Sequence, residues 1–465
     1  MTTQVGRHGG IAPPEETKSS AGGSMLIGAV GLILLALVAP SLASAMGSTY
    51  SAWGAVLLVP VLVALTLPML ARQSARENDR RLYWILVLAL AVKLIGALIR
   101  DYVAFDVYGG VADAASYHQW GVELAPQLRQ LNFDTILPTL TGTDFIRFFT
   151  GLVYAVFGPS RLGGFLFYSW LGFVGLFFFY RAFRIAVPEG RARAYALLIF
   201  FLPSLVFWPS GIGKEAWIMF TLGIAAFGAA RILSGATARG LLPFGLGLWL
   251  AAIVRPHIAR LMAISMGAAY FLKRPERELG PIGPIVKTLG LAVLALVAAL
   301  LVARADEFLE ESGINTGPGV TSVLEQTAER TSQGGSQFAP SILESPTRTP
   351  EAIFAVLYRP FLTDATNAQS ALAALEGTFI LGLTLVRLRW LLHAFRSMRR
   401  VSYVGFAFVY SGLMILALSS IGNFGLLVRQ RVQLLPLFLV LLLLPPREKT
   451  EDEDEQVSRG ELARA

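Results

Sequence analysis

The stretch FLPSLVFWPSGIGKEAW, residues 201–217, decides how the chain is read. Two apolar runs meet there at a Pro–Ser–Gly break, and Lys214 and Glu215 open the second run. Followed outward, the runs cover 193–209 and 213–233, each near the ~20 residues an α-helix needs to cross the hydrocarbon core. A charge at the bilayer centre costs a few kcal/mol or more, so the depth of the Lys–Glu pair matters to its meaning. The rest of the chain repeats this apolar character: 465 residues, 54% hydrophobic and only 15% charged, with mean hydropathy +0.59. A soluble chain would carry about a quarter charged residues. The composition therefore predicts an all-α, polytopic integral membrane protein, because a helix satisfies its own backbone in lipid.

Further apolar runs lie at 25–45, 53–71, 82–100, 161–182, 240–255, 258–273, 284–303, 370–387, 401–420 and 430–446, which makes about twelve spans. The first run exceeds the ~7–15-residue core of a signal peptide, so it is expected to remain as a span despite the small residues Ala43–Ser44–Ala45. The pair 240–255 and 258–273 is short enough to form a hairpin that does not cross fully. Basic residues concentrate in the connections 71–81, 181–193, 273–277 and 387–400, which alternate correctly to share the cytoplasmic side. This predicts a multi-pass protein of the plasma (inner) membrane with both termini cytoplasmic. The domain plan is a disordered N-terminus 1–24, a membrane domain 25–446 and a charged tail 447–465. Two outer connections, 101–160 and 304–358, are far longer than a hairpin needs. Within the first, Asp144 to Phe157 (DFIRFFTGLVYAVF) reads as an interfacial helix. The second is rich in Ser, Thr, Gly and Pro and reads as an outer flap or small cap.

Several function classes fall away. Cysteine is absent, which removes disulfides and thiolate metal sites. The four histidines, His8, His118, His257 and His393, have no metal-ligand spacing. No metal is called for, although a divalent cation (Mg or Mn) held by carboxylates stays compatible with the sequence. The net charge of +8 reports basic cytoplasmic loops rather than a nucleic-acid partner. The spacing of a nucleotide-binding phosphate loop is missing around Gly211–Lys214.

The ionisable residues left over all fall in the outer half of the membrane on this topology. They are Lys93, Arg100, the pair Lys214 and Glu215, Arg255 with His257 and Arg260, Arg359, Glu376, and Arg429 with Arg431. Arginine forks match phosphate oxygens and lysine supplies a point charge. The residues Ser210, Gly211 and Gly213 would present free N–H groups at a helix N-terminus. The pattern predicts a phosphate-binding outer face built on Lys214, Arg255, His257, Arg359, Arg429 and Arg431, with Ser210 to Gly213 as its rim. Each piece also has an ordinary reading, as an interface snorkeler, a helix corner or a self-neutralising pair. For catalysis, Asp113 and Tyr117 share a helix face with His118 alongside, and a carboxylate there would take the proton of an acceptor hydroxyl. Glu215 and Glu376 are the reserve carboxylates.

The segments ADAASYHQW (112–120), FIRFFTGLVYAVFG (145–158), SRLGGFLFYSW (160–170) and PSLVFWPSGIGKEAW (203–217) resemble the front of bacterial GT-C-type glycosyltransferases. LYRPFLTDATNAQSALAALEG (357–377) and IGNFGLLVRQRVQLLP (421–436) are similar to polysaccharide-cluster membrane proteins and to O-antigen polymerases of the Wzy type. The first resemblance implies a GT-C-like layout and a polyprenyl-linked sugar as donor. It further implies a glycan or lipid-linked acceptor and Asp113 as general base. The function expected is a glycosyltransferase or glycan polymerase at the outer face of the plasma membrane, in cell-envelope or exopolysaccharide synthesis. Membrane lipids would surround the site. The alternatives are a transporter or flippase of lipid-linked glycans, and a non-catalytic envelope-assembly protein.

Overall fold

The computed structural model describes residues 49–132, 140–273, 320–332, 337–338 and 349–446, with a few isolated positions besides. The spans expected at 25–45 and 284–303, most of the flap 304–358, the N-terminal segment 1–24 and the tail 447–465 lie outside the described residues apart from those isolated positions. Among the described residues the chain is helical, with no strand and a single isolated bridge between Gln337 and Asn423.

Among the described residues six helices are long and apolar enough to cross a membrane: α1 (Tyr50–Glu77), α2 (Arg80–Tyr102, running on to Val107), α5 (Arg161–Ala186), α8 (Lys214–Leu233), α9 (Thr237–Val254) and α13 (Ala368–Val386). Counting three sharply bent pairs as single spans raises the number to nine. The protein is thus an all-helical, multi-pass membrane protein. Local chemistry explains the ends. Asn78 in the left-handed conformation closes α1, and the Asp79 carboxylate accepts the Arg81 and Leu82 N–H groups to open α2.

The expected span 193–209 is broken. Helix α6 (Ala192–Phe201) stops at Leu202, and α7 (Pro203–Phe207, continued by a 3-10 turn over Trp208–Ser210) leaves at 59°. Pro203 has no N–H to continue the ladder and starts the new helix instead. In an apolar setting the freed backbone groups need partners. Glu376 of α13 accepts from both the N–H and the Oγ of Ser204, each at 2.6 Å. Lys93 of α2 donates to the carbonyls of Leu205 and Val206 at 2.7 and 3.1 Å. Both charged side chains are buried, and they brace the break.

The last expected span also differs from a single helix. Expected over 430–446, it is the helix α17 (Leu435–Leu442), preceded at 65° by α16 (Phe424–Arg431), most of which lies before the expected start. The basic connection 387–400 is itself a helix, α14 (Leu388–Ser397), set at 113° to α15 (Ser402–Leu418). The stretch expected to be an interfacial helix is helical, as α4 (Gly142–Phe157), and packs along α3 (Asp113–Arg129). Its buried Ile146, Thr150, Val153, Tyr154 and Phe157 form one stripe at helical spacing.

Helix α8 is the centre of the bundle, with 89% of its apolar window buried against 28% for α13. It approaches α5 and α9 closely through glycines. A Cβ at Gly223 would collide with the Gly175 carbonyl oxygen, and one at Gly228 with the Phe244 nitrogen. Without a hydrophobic drive between helices in lipid, such close packing is what holds them together.

Candidate functional site

Four elements bring their ends to one place. Asp113 is the first residue of α3, and Glu215 lies in the first turn of α8. Arg255 sits at the corner between α9 and α10 (Pro256–Leu272), and Arg429 with Gln430 lies on α16. Glu215 is enclosed, with 7% side-chain exposure, and is held by two arginines. Arg255 Nη2 lies 2.9 Å from its Oε1, and Arg429 lies 2.8 Å from Oε1 through Nε and 3.1 Å from Oε2 through Nη2. The same Arg429 Nη2 reaches Asp113 Oδ2 at 3.0 Å. Arg255 also donates to Gln430 Oε1 at 2.7 Å, which ties the α9–α10 corner to α16. Asp113 differs from Glu215 in exposure: 60% of its side chain is open.

This cluster forms one wall of a cavity of about 310 Å³ that Asp113, Glu215, Arg429, Arg100, Gly211 and Trp208 help to line. The Arg100 guanidinium stacks over the rings of Phe207 and Trp208 at 4.9 and 5.0 Å. Among the described residues it forms no ion pair with a carboxylate. Four cations (Arg100, Lys214, Arg255, Arg429) therefore surround two carboxylates (Asp113, Glu215) within mutual electrostatic reach, a formal surplus of two positive charges. Beside this cavity runs a second, largely apolar groove of about 480 Å³, bounded by Ile99, Val103, Phe207, Leu372 and Val428. Tyr108, Trp208 and Gly425 line both, so the two are adjacent.

The expected site residues divide in the fold. Asp113, Gly211, Glu215 and Arg429 come together at the cavity, with Arg255 directly behind Glu215 and Lys214 beside it. Gly213 precedes α8 in an extended conformation. Glu215 Oε2 lies 3.4 Å from where a Cβ at Gly213 would stand, so the Glu215 carboxylate is next to the start of this helix. Ser210 is fully buried; its Oγ donates to the Val206 carbonyl and lies 3.0 Å from Ser169 Oγ, so it faces the bundle and not the rim. Arg431 is enclosed too, donating to the Leu357 and Arg359 carbonyls at 2.9 and 2.8 Å, where it anchors the chain after α12 (Thr349–Tyr358). Arg359 itself pairs with Asp364 and stacks on Phe338 and Phe424 near the apolar groove, away from the charged cavity. His257 lies on the first turn of α10 outside the cavity lining. Glu376 caps α7 and lines the groove, not the charged cavity.

His118 also points elsewhere. Its Nδ1 lies 2.8 Å from Tyr154 Oη, between α3 and α4. Burial, with Arg161 adding to it, pushes the imidazole pKa down from 6.5 to about 4. The unfolded imidazole takes its proton near 6.5, so the stabilisation is complete above that pH and is lost as pH falls from 6.5 toward 4. The apparent melting temperature of the purified protein should fall across that window, by the equivalent of on the order of 1–3 kcal/mol. His118→Gln should flatten that part of the pH profile; an unchanged slope would assign the pH dependence to other groups.

Arg100, Gln430, Tyr108 and Trp208 complete the site. The sequence marks Arg100 as an uncommon charge, but only the fold stacks it beside the cavity. Nothing in the sequence distinguishes Gln430 or Tyr108. Among the described residues no group of three or more metal-ligating side chains converges. Glu215 is committed to two arginines, which leaves Asp113 as the exposed carboxylate at the cavity. Comparison with protein-family models, with curated proteins and with solved structures finds no match. A functional reading therefore rests on the residues and on the cavity they build.

Proposed function

We propose that this protein is a membrane glycosyltransferase using a polyprenyl-phosphate- or pyrophosphate-linked sugar, acting at the outer face of the plasma membrane in cell-envelope or exopolysaccharide synthesis. The observation that carries the reading is that a cavity lined by Arg100 and Arg429 adjoins a largely apolar groove, the two sharing Tyr108, Trp208 and Gly425. Such a pair of spaces suits an anionic amphiphile, with its phosphate among the cations and its chain in the groove. Asp113 is the exposed carboxylate at the cavity. In the transfer step the acceptor hydroxyl oxygen attacks the anomeric carbon and the bond from that carbon to the phosphate oxygen breaks. The polyprenyl (pyro)phosphate leaves with the electron pair, stabilised by the arginines, and the hydroxyl proton passes to Asp113.

The test is transfer from a polyprenyl-linked sugar by the purified protein. Asp113→Asn should lower kcat on the order of 10²-fold or more, the usual range for a lost general base. Undiminished transfer by that variant would remove Asp113 from the chemistry. A second reading, a flippase for lipid-linked glycans, draws support from two broken spans, one bent by 59° at the groove and one by 65° just after Arg429. Transporters build their sites from such discontinuous helices. Movement of a fluorescent lipid-linked sugar across liposomes, with no transfer to any acceptor, would favour it.

A further inference from the structure

Arg429 Nη2 is shared between two acids of very different standing. Glu215 is enclosed and holds Arg429 through two contacts, at 2.8 and 3.1 Å. Asp113 is 60% exposed and holds it through one, at 3.0 Å. An exposed single-contact ion pair is worth about 1 kcal/mol or less, whereas an enclosed, doubly held one does not exchange readily with solvent. The Asp113 contact is therefore the one that a competing anion displaces. Arg100 sits at the same cavity, oriented by Phe207 and Trp208 and without a carboxylate of its own among the described residues. The surplus of two positive charges matches a phosphate group that brings up to two negative ones.

We infer that a lipid-linked phosphate binds by exchanging with Asp113 on Arg429 and taking Arg100 as its second ligand. The inference rests on the donor-binding role proposed above for the cavity and adds to it a coupling. Asp113 Oδ2 is held by Arg429 Nη2 at 3.0 Å. When the phosphate oxygens take over Arg429 Nη2, Asp113 is released with no proton transferred and no covalent bond changed, and becomes available to the acceptor hydroxyl. The base is thereby switched on by the donor. Arg255, bound to Glu215 and Gln430, remains in place behind the exchange and holds the cavity floor.

Binding can be read without any turnover, so this inference and the transferase reading fail separately. The probe is farnesyl phosphate, which carries phosphate and an isoprenoid chain but no sugar. It is titrated against the full chain in nanodiscs, with tryptophan fluorescence as the signal, since Trp208 lines both spaces. Farnesol and inorganic phosphate, each titrated alone, separate the contribution of the chain from that of the anion. Asp113→Asn should bind farnesyl phosphate about fivefold more tightly, the equivalent of an exposed ion pair no longer competing. Arg100→Gln should bind it at least tenfold more weakly, Arg100→Lys should recover part of the loss, and farnesol should bind all variants alike. Asp113 is exposed, so its variant is expected to fold with an unchanged melting temperature, which is measured alongside. Equal or weaker binding by Asp113→Asn would overturn the exchange. Unaltered binding by Arg100→Gln would overturn the choice of Arg100 as ligand. Tight binding of inorganic phosphate with no gain from the chain would make the site one for a soluble phosphate.

Discussion

Replacing Glu215 by glutamine is expected to cost about 3–5 kcal/mol of stability, the range for breaking one partner out of an enclosed ion pair. Its carboxylate receives Arg255 and Arg429 at 2.9 and 2.8 Å with 7% of the side chain exposed. A neutral amide leaves two guanidinium groups facing each other beside Lys214. The loss should appear as a lower denaturation midpoint in detergent, together with release of α16 from the α9–α10 corner. The double variant Glu215→Gln/Arg255→Met removes one cation as well and should recover a large part of the loss, because the unpaired charge and not the missing bond dominates. If the single variant unfolds like the unaltered protein, the cluster is not what ties α8, α10 and α16 together. The same experiment bears on function: Glu215 is too enclosed and too firmly paired to act as the base, which leaves Asp113 for that role in the proposed mechanism.

Glu376→Ala is expected to cost about 3–4 kcal/mol, through two losses at once. The Ser204 N–H and hydroxyl each give up a 2.6 Å bond to carboxylate oxygen at the start of α7. Arg431, fully enclosed, also gives up the carboxylate charge within its electrostatic reach. Glu376→Gln keeps one acceptor oxygen and should cost less than half as much. The effect extends beyond stability, because α7 and the turn after it carry Phe207 and Trp208, on which Arg100 stacks. A loosened break should therefore weaken farnesyl phosphate binding in the alanine variant even below its melting temperature. Farnesyl phosphate bound with full affinity by a destabilised Glu376→Ala protein would uncouple the break from the site.

The class of protein and most of its helices are legible in the linear chain. The apolar runs at 161–182, 213–233 and 370–387 appear as Arg161–Ala186, Lys214–Leu233 and Ala368–Val386. A run of about twenty apolar residues needs no distant partner to become a membrane helix. The two broken spans are less legible. Pro203 announces a break, but whether the chain merely kinks or turns by 59° depends on Glu376 and Lys93, which supply partners for the freed backbone groups. The reading of leftover charges as one phosphate face was half resolved by the fold. Arg429 and Asp113 share the cavity, whereas Arg431 holds backbone carbonyls, Arg359 is neutralised by Asp364, and Ser210 faces the interior. An arginine in sequence looks the same in each of these roles.

For FLPSLVFWPSGIGKEAW, the sequence by itself determined that two apolar helices meet and that a charged pair starts the second. It did so because hydrophobicity and the missing proline N–H are properties of the residues alone. Only the tertiary structure decided that Glu215 is the enclosed anchor of two arginines while Lys214 stands beside them. The partners lie 40 residues away at Arg255 and 214 away at Arg429, and Arg429 is in turn 316 residues from Asp113. An ion pair acts over a few ångströms of space and has no period along the chain, so its members become neighbours only when the helices that carry them pack.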